Sequence, residues 1–220
     1  TRSISRCSPA QCRASTSRCF SASHPSGERR KSSIFVAMME YDKEELTQTI
    51  STEELIRHFR NEEEVSGYCR ECENFGKSWG CPPFDFDVED RLKQYKEVLL
   101  VATKITPKEQ GLPLNAAQEL ILPERKRIDK RLLELEKEHS GLACSYVGKC
   151  YYCAEESCSR VCGLPCRHPH LVRPSLEAYG FDVALISQEL FGIKLRWSKD
   201  GLLPEYLVIV SALFYNVPEK

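Results

Sequence analysis

Apolar positions recur along this chain with a period that changes from segment to segment. Ser51-Thr52-Glu53-Glu54, followed by Leu55, Ile56 and Phe59, predicts a short amphipathic helix with a capping box at its start. A cysteine-rich loop follows at once. The acidic turn at residues 85–87 then caps a second helix to about Lys96, which leads into the apolar run 97–102, a buried strand. Residues 115–138 form the longest predicted helix: Leu120, Ile128, Leu132 and Leu135 share one face, the charged residues between them form a solvated face, and Pro123 introduces a kink. A short strand is expected at 143–147 and a second cysteine-rich loop at 148–171. Two short helices, 174–179 and 182–191, each close at a glycine, Gly180 and Gly192. Residues 193–197 and 206–214, joined by Lys199-Asp200-Gly201, read as a β-hairpin. The succession predicts an α+β fold: a compact sandwich of a small mixed sheet with helices on one face, plus two cysteine-rich metal-binding loops.

Composition changes this picture at one end. Residues 1–37 are rich in Ser and Arg, with seven Lys/Arg against one acid, and have no apolar periodicity. They read as a disordered basic leader, either a transit-like peptide or, the reading preferred on the Met38-Met39 that follows, a translated upstream stretch. Cys7, Cys12 and Cys19 fall in it and are set aside. Residues 38–220 form the expected single metal-binding domain, with 24 basic and 31 acidic residues, a balance that argues against a nucleic-acid partner. No apolar run approaches bilayer length, which argues against membrane insertion.

A chain of 220 residues can bury a core without covalent staples, so its 12 cysteines call for another role. Cys69, Cys72 and Cys81 are spaced C-x2-C-x8-C-P-P; Cys150, Cys153, Cys158, Cys162 and Cys166 are spaced C-x2-C-x4-C-x3-C-x3-C. Two thiolates two residues apart can be turned inward by one tight turn whose peptide N–H groups partly neutralise them, which suits zinc and iron–sulfur centres alike. Iron is favoured by the 77 residues separating Cys72 from Cys150, far beyond a zinc ribbon, by a second loop denser than one tetrahedral site, and by Cys81-Pro82. Three thiols are one short of a site and five are one too many, so one second-loop cysteine is expected to complete the first site. All eight are thereby candidate ligands, Cys158 and Cys162 among them. Arg70, Lys149, Arg160, Arg167 and His168 lie beside the ligands; of these Arg70, Arg167 and His168 are expected to touch the cofactor. Cys144, at alternate spacing in a strand, reads as a buried apolar thiol. Arg173 reads as packing on the metal loop rather than as an anion grip.

The first loop with Trp79-Gly80-Cys81-Pro82-Pro83, the stretch Gly148-Lys149-Cys150-Tyr151-Tyr152-Cys153, and Pro165-Cys166-Arg167-His168-Pro169 with residues 173–183 together resemble an uncharacterised prokaryotic family of predicted metal-binding proteins, a domain of unknown function. The likeness spans residues 45–217. It implies a cytoplasmic metal-binding protein of the iron–sulfur kind, and no particular reaction.

The leading functional expectation is two 4Fe–4S clusters and electron transfer with a partner oxidoreductase. Two others stand beside it: a structural zinc protein, in which thiolates merely pin the loops, and an enzyme using an open three-cysteine metal site.

Overall fold

A computed structural model describes residues 39–145, 148–153 and 157–217, and Met39–Lys220 makes up one folded unit. The expected leader lies outside the described residues.

Four antiparallel strands in the order β1-β2-β4-β3 form the centre of the fold. They are β1 (Tyr41–Ser51), β2 (Glu97–Pro107), β3 (Leu142–Cys144) and β4 (Leu207–Tyr215). The α+β class holds, but the sheet is wholly antiparallel rather than mixed. Strand periodicity gives it two apolar faces. Val98, Leu100, Val210, Ala212 and Phe214 pack with Leu55 and Phe59 of α1 (Thr52–Phe59) and Ile186 of α5 (Val183–Phe191). On the other face Ile105, Ile209 and Leu213 pack with Leu120, Ile128 and Leu132 of α4 (Ala117–Glu138). Helices therefore cover both faces, not one. The remaining helices are α2 (Glu62–Glu71) and α3 (Val88–Leu92).

Local chemistry sets the helix ends as the sequence implies. The Ser51 hydroxyl accepts from the Glu54 N–H at 3.1 Å, Asp87 caps α3, Asp182 caps α5, and Gly192 closes α5 with φ of 69°. The expected helix at 174–179 contracts to a 3-10 turn over Glu177–Tyr179, and α3 stops at Leu92 instead of Lys96. The predicted hairpin does not form. Residues 193–197 are not a strand, and β4 pairs with β2 and β3 because its apolar residues on both faces demand a central position.

Strand β1 is too polar to announce itself, and its place is fixed by ionic contacts to α4. Tyr41 donates to Glu124 at 3.0 Å, Arg127 donates to Glu124 at 2.6 Å, and Arg127 and Arg131 both reach Glu45. Burial pushes the Glu45 and Glu124 carboxyls up, but the Arg127 hydrogen bonds together with those from Tyr41 and Arg131 and the charges of Arg127, Arg131 and Lys43 outweigh it and hold both below the ordinary value of 4.5. A depressed folded-state value means this stabilisation is present above the ordinary value and lost as pH falls through the depressed ones. Arg127→Met is expected to cost about 1–2 kcal/mol at neutral pH and to flatten the acid limb of a stability-versus-pH curve from urea titrations. An acid limb as steep as the parent's would count against this account.

Candidate metal centres

The two cysteine loops meet beside α2. Cys69 lies in the last turn of α2 and Cys72 caps that helix, its N–H bonding the Cys69 carbonyl at 3.1 Å. The chain then turns through Gly76, whose N–H binds the Pro82 carbonyl at 2.9 Å, and returns Cys81 to the same place. Asn61 N–H to the Gly180 carbonyl and Asp182 N–H to the Phe59 carbonyl dock the α1–α2 junction on the Glu177–Tyr179 turn. This places the Glu177 carbonyl 3.8 Å from the Cys69 thiol, which donates to it. Cys69, Cys72, Cys81 and Glu177 line a cavity of about 160 Å³.

The second loop is held by charged residues of α4. Asp129, buried, accepts from the hydroxyls of Tyr151 and Tyr152, and Arg125 lies 4.9 Å over the Tyr151 ring while donating to the Lys149 carbonyl at 3.1 Å. The face of α4 expected to be solvated thus buries Glu124, Arg125 and Asp129. Tyr151 and Tyr152 stand between Cys150 and Cys153, so this anchoring orients the C-x2-C turn directly.

The thiols sort by loop. Cys69 is acted on by Glu177, Cys72 and Arg70, and Cys81 by Cys72, Cys69 and Arg160. Cys150 is acted on by Cys153, Cys158 and Cys166, and Cys166 by Cys158, Cys153 and Arg167. Burial is the first cause of the raised values at Cys69, Cys81, Cys150 and Cys166, with neighbouring thiolates adding to it, and it pushes Cys81 up to about 11. The thiols that act on one another come from the same loop: Cys69, Cys72 and Cys81 in the first, and Cys150, Cys153, Cys158 and Cys166 in the second. Cys162 is disulfide-bonded and so is not a free thiol. Cys144 is a free thiol, fully buried in β3.

Contact between the loops is made by other atoms. Arg160 donates to the carbonyls of Ser78 (2.6 Å), Cys81 and Pro83, and lies 5.2 Å over the Trp79 ring. Trp79 in return donates its indole N–H to Ser159 Oγ and the Leu164 carbonyl, at 3.3 and 3.2 Å. Of the residues expected to touch the cofactor, Arg70 donates to Ser66, Arg167 to the Ser157 carbonyl, and His168 gives its backbone N–H to Cys166 Sγ at 3.4 Å. Arg173 forms a double hydrogen bond with Glu136 and also binds the Pro169 and Val172 carbonyls, a packing role. Residue types alone do not reveal the roles of Asp129, Glu136 and Glu177; a charged residue spaced onto the apolar face of α4, as Asp129 is beside Ile128 and Leu132, was the available signal.

Among the described residues no group of three or more His, Cys, Asp or Glu side chains is drawn into metal-ligating geometry. The donor set nevertheless fits a thiophilic metal. All of these thiols except the exposed Cys72 are partly buried, the second loop offers the four soft donors that zinc or an iron–sulfur cluster takes, and backbone N–H groups face Cys150 and Cys166. Beside the first group the Glu177 carboxylate takes hydrogen bonds from Ser175 and its own N–H, but its buried Oε2 has no partner.

Two thiol-bearing loops clamped together on an α+β scaffold define a cysteine-rich protein built around donors for a metal. The chain belongs to the family described as predicted metal-binding protein (DUF2284), whose model matches residues 49–214 and so includes both thiol groups. No curated protein and no solved structure matches the chain. Among the described residues no helix is long and apolar enough to cross a membrane.

Proposed function

We propose that the chain is an iron–sulfur protein acting in electron transfer with a partner oxidoreductase, with Cys150, Cys153, Cys158 and Cys166 holding a 4Fe–4S cluster and Cys69, Cys72 and Cys81 holding a second metal centre. The observation that carries this reading is that the thiols of each loop act on one another, Cys150, Cys153, Cys158 and Cys166 in the second loop and Cys69, Cys72 and Cys81 in the first. An iron–sulfur cluster supplies one-electron transfer when bound. The chain's part is to set its potential: the His168 N–H on Cys166, the Arg167 charge nearby and the Tyr151–Tyr152 pair beside Cys150 all favour the more negative, reduced form or exclude water. The three-thiol centre leaves one coordination position that no cysteine fills. That observation supports a second reading, an enzyme in which this position takes a substrate.

Iron–sulfur and zinc loading are separated by purifying the full chain anaerobically and measuring iron, acid-labile sulfide and zinc. Brown protein with iron and sulfide in equal amounts is expected. Colourless protein with about one zinc per thiol group would replace the electron-transfer reading by a structural one.

A further inference from the structure

A second cavity, of about 590 Å³, opens where the two cysteine loops face each other, and no cysteine lines it. Its wall takes Trp79 and Phe84 from the first loop, Phe86, Arg91 and Tyr95 from α3 and its flanks, and Arg160 from the second loop. The volume is that of a small-molecule site. Its chemistry is unusual for a chain whose folded part is acidic. Phe84 and Phe86 stack at 5.1 Å, and Tyr179 meets Phe84 edge-on at 5.5 Å, so one side is a continuous aromatic surface.

Five ionised side chains line the cavity: Asp85, Arg91, Glu136, Arg160 and Arg173. Arg173 and Glu136 neutralise each other through their double hydrogen bond. Arg160 spends its N–H groups on three carbonyls, which satisfy the donors without cancelling the charge. Arg91 has no ion pair among the described residues and rests 4.6 Å over the Phe86 ring, a contact that also leaves its charge intact. Asp85 is exposed. Two uncancelled guanidinium groups therefore face an aromatic wall, and one solvated carboxylate opposes them.

We propose that this cavity binds a planar aromatic ligand carrying one anionic group, its ring against Phe84, Phe86 and Tyr179 and its charge toward Arg91 and Arg160. The site draws residues from both cysteine loops, and its argument is independent of which metal the thiols take. Arg91 is the residue to test, because it is exposed and bonds to nothing that holds the fold.

The probe is 2-naphthoate, titrated calorimetrically into the full chain as purified, with neutral 2-naphthalenemethanol as comparator. Saturable binding of the acid is expected, about tenfold or more tighter than the alcohol, as one charge-assisted contact implies. Arg91→Gln should weaken the acid about tenfold and leave the alcohol unchanged, and Arg91→Lys should recover part of the loss. Unchanged melting temperatures would show that the variants fold. Absence of saturable binding up to about 10 mM, equal affinity for acid and alcohol, or acid binding indifferent to Arg91→Gln would each overturn the proposal. The last outcome would also mark carboxylate ligation at a metal centre, which Arg91 does not touch.

Discussion

Cys158→Ser is expected to strip metal from the second loop and lower stability by several kcal/mol, whereas Cys162→Ser should leave bound metal unchanged. The two residues are four apart and equivalent by composition, yet Cys158 is a free thiol that acts on Cys150 and Cys166 while the sulfur of Cys162 is tied up in a disulfide. The size follows from what a thiolate centre contributes, on the order of 10 kcal/mol for a structural site, and from the raised thiol values at Cys150 and Cys166. Those thiols must give up protons to bind metal, so uptake should also weaken as pH is lowered. Metal analysis of the two purified variants, with thermal melts, makes the comparison. Equal metal loss in both would return Cys162 to the ligand set.

Arg160→Met should cost about 3 kcal/mol and loosen the first loop selectively. The variant keeps the aliphatic contact with Trp79 but removes the donors from the carbonyls of Ser78, Cys81 and Pro83, two of them in the immediate run of Cys81. Arg160→Lys should recover only part of this, since one ammonium cannot reproduce a planar fork of donors. Urea titration gives the stability, and limited proteolysis within residues 73–80 reports the loop. If the first loop in Arg160→Met resists protease as well as the parent's, Arg160 does not hold it.

Both experiments concern features that the sequence displays unevenly. Ser51, Asp182 and Gly192 announce their helix ends because capping is a local matter of one side chain or one left-handed residue. The apolar stripe of α4 is legible for the same reason that it packs: Leu120, Ile128 and Leu132 recur at helical spacing. Strand β1 was not legible, since Asp42, Lys43, Glu44 and Glu45 read as a solvated run until Arg127 and Arg131 arrive from a helix more than 80 residues later. Residues 193–197 carry apolar residues but nothing local that says β4 prefers β2, and only the two-sided burial of β4 decides it. Helix α2 was hidden inside a cysteine motif because its sequence is polar nearly all round, with Val65 its one buried residue.

For the candidate centres, spacing displayed the members and not their partition. Counting three and five thiols leads to a shared ligand, because arithmetic treats every cysteine as available. The fold also brings to the first group a carboxyl group that lies 96 residues beyond Cys81 and becomes a neighbour only when the turn at Glu177–Tyr179 docks on α2.

A helix that buries a single side chain has little packing to keep it wound, and α2 is such a helix with a thiol in its final turn and another at its cap. The turn therefore opens and closes on its own, well below the free energy of global unfolding. A cation bridging Cys69 and Cys72 would staple that turn shut, and the amides of residues 68–72 would then slow their exchange with solvent deuterium by the factor that the staple contributes.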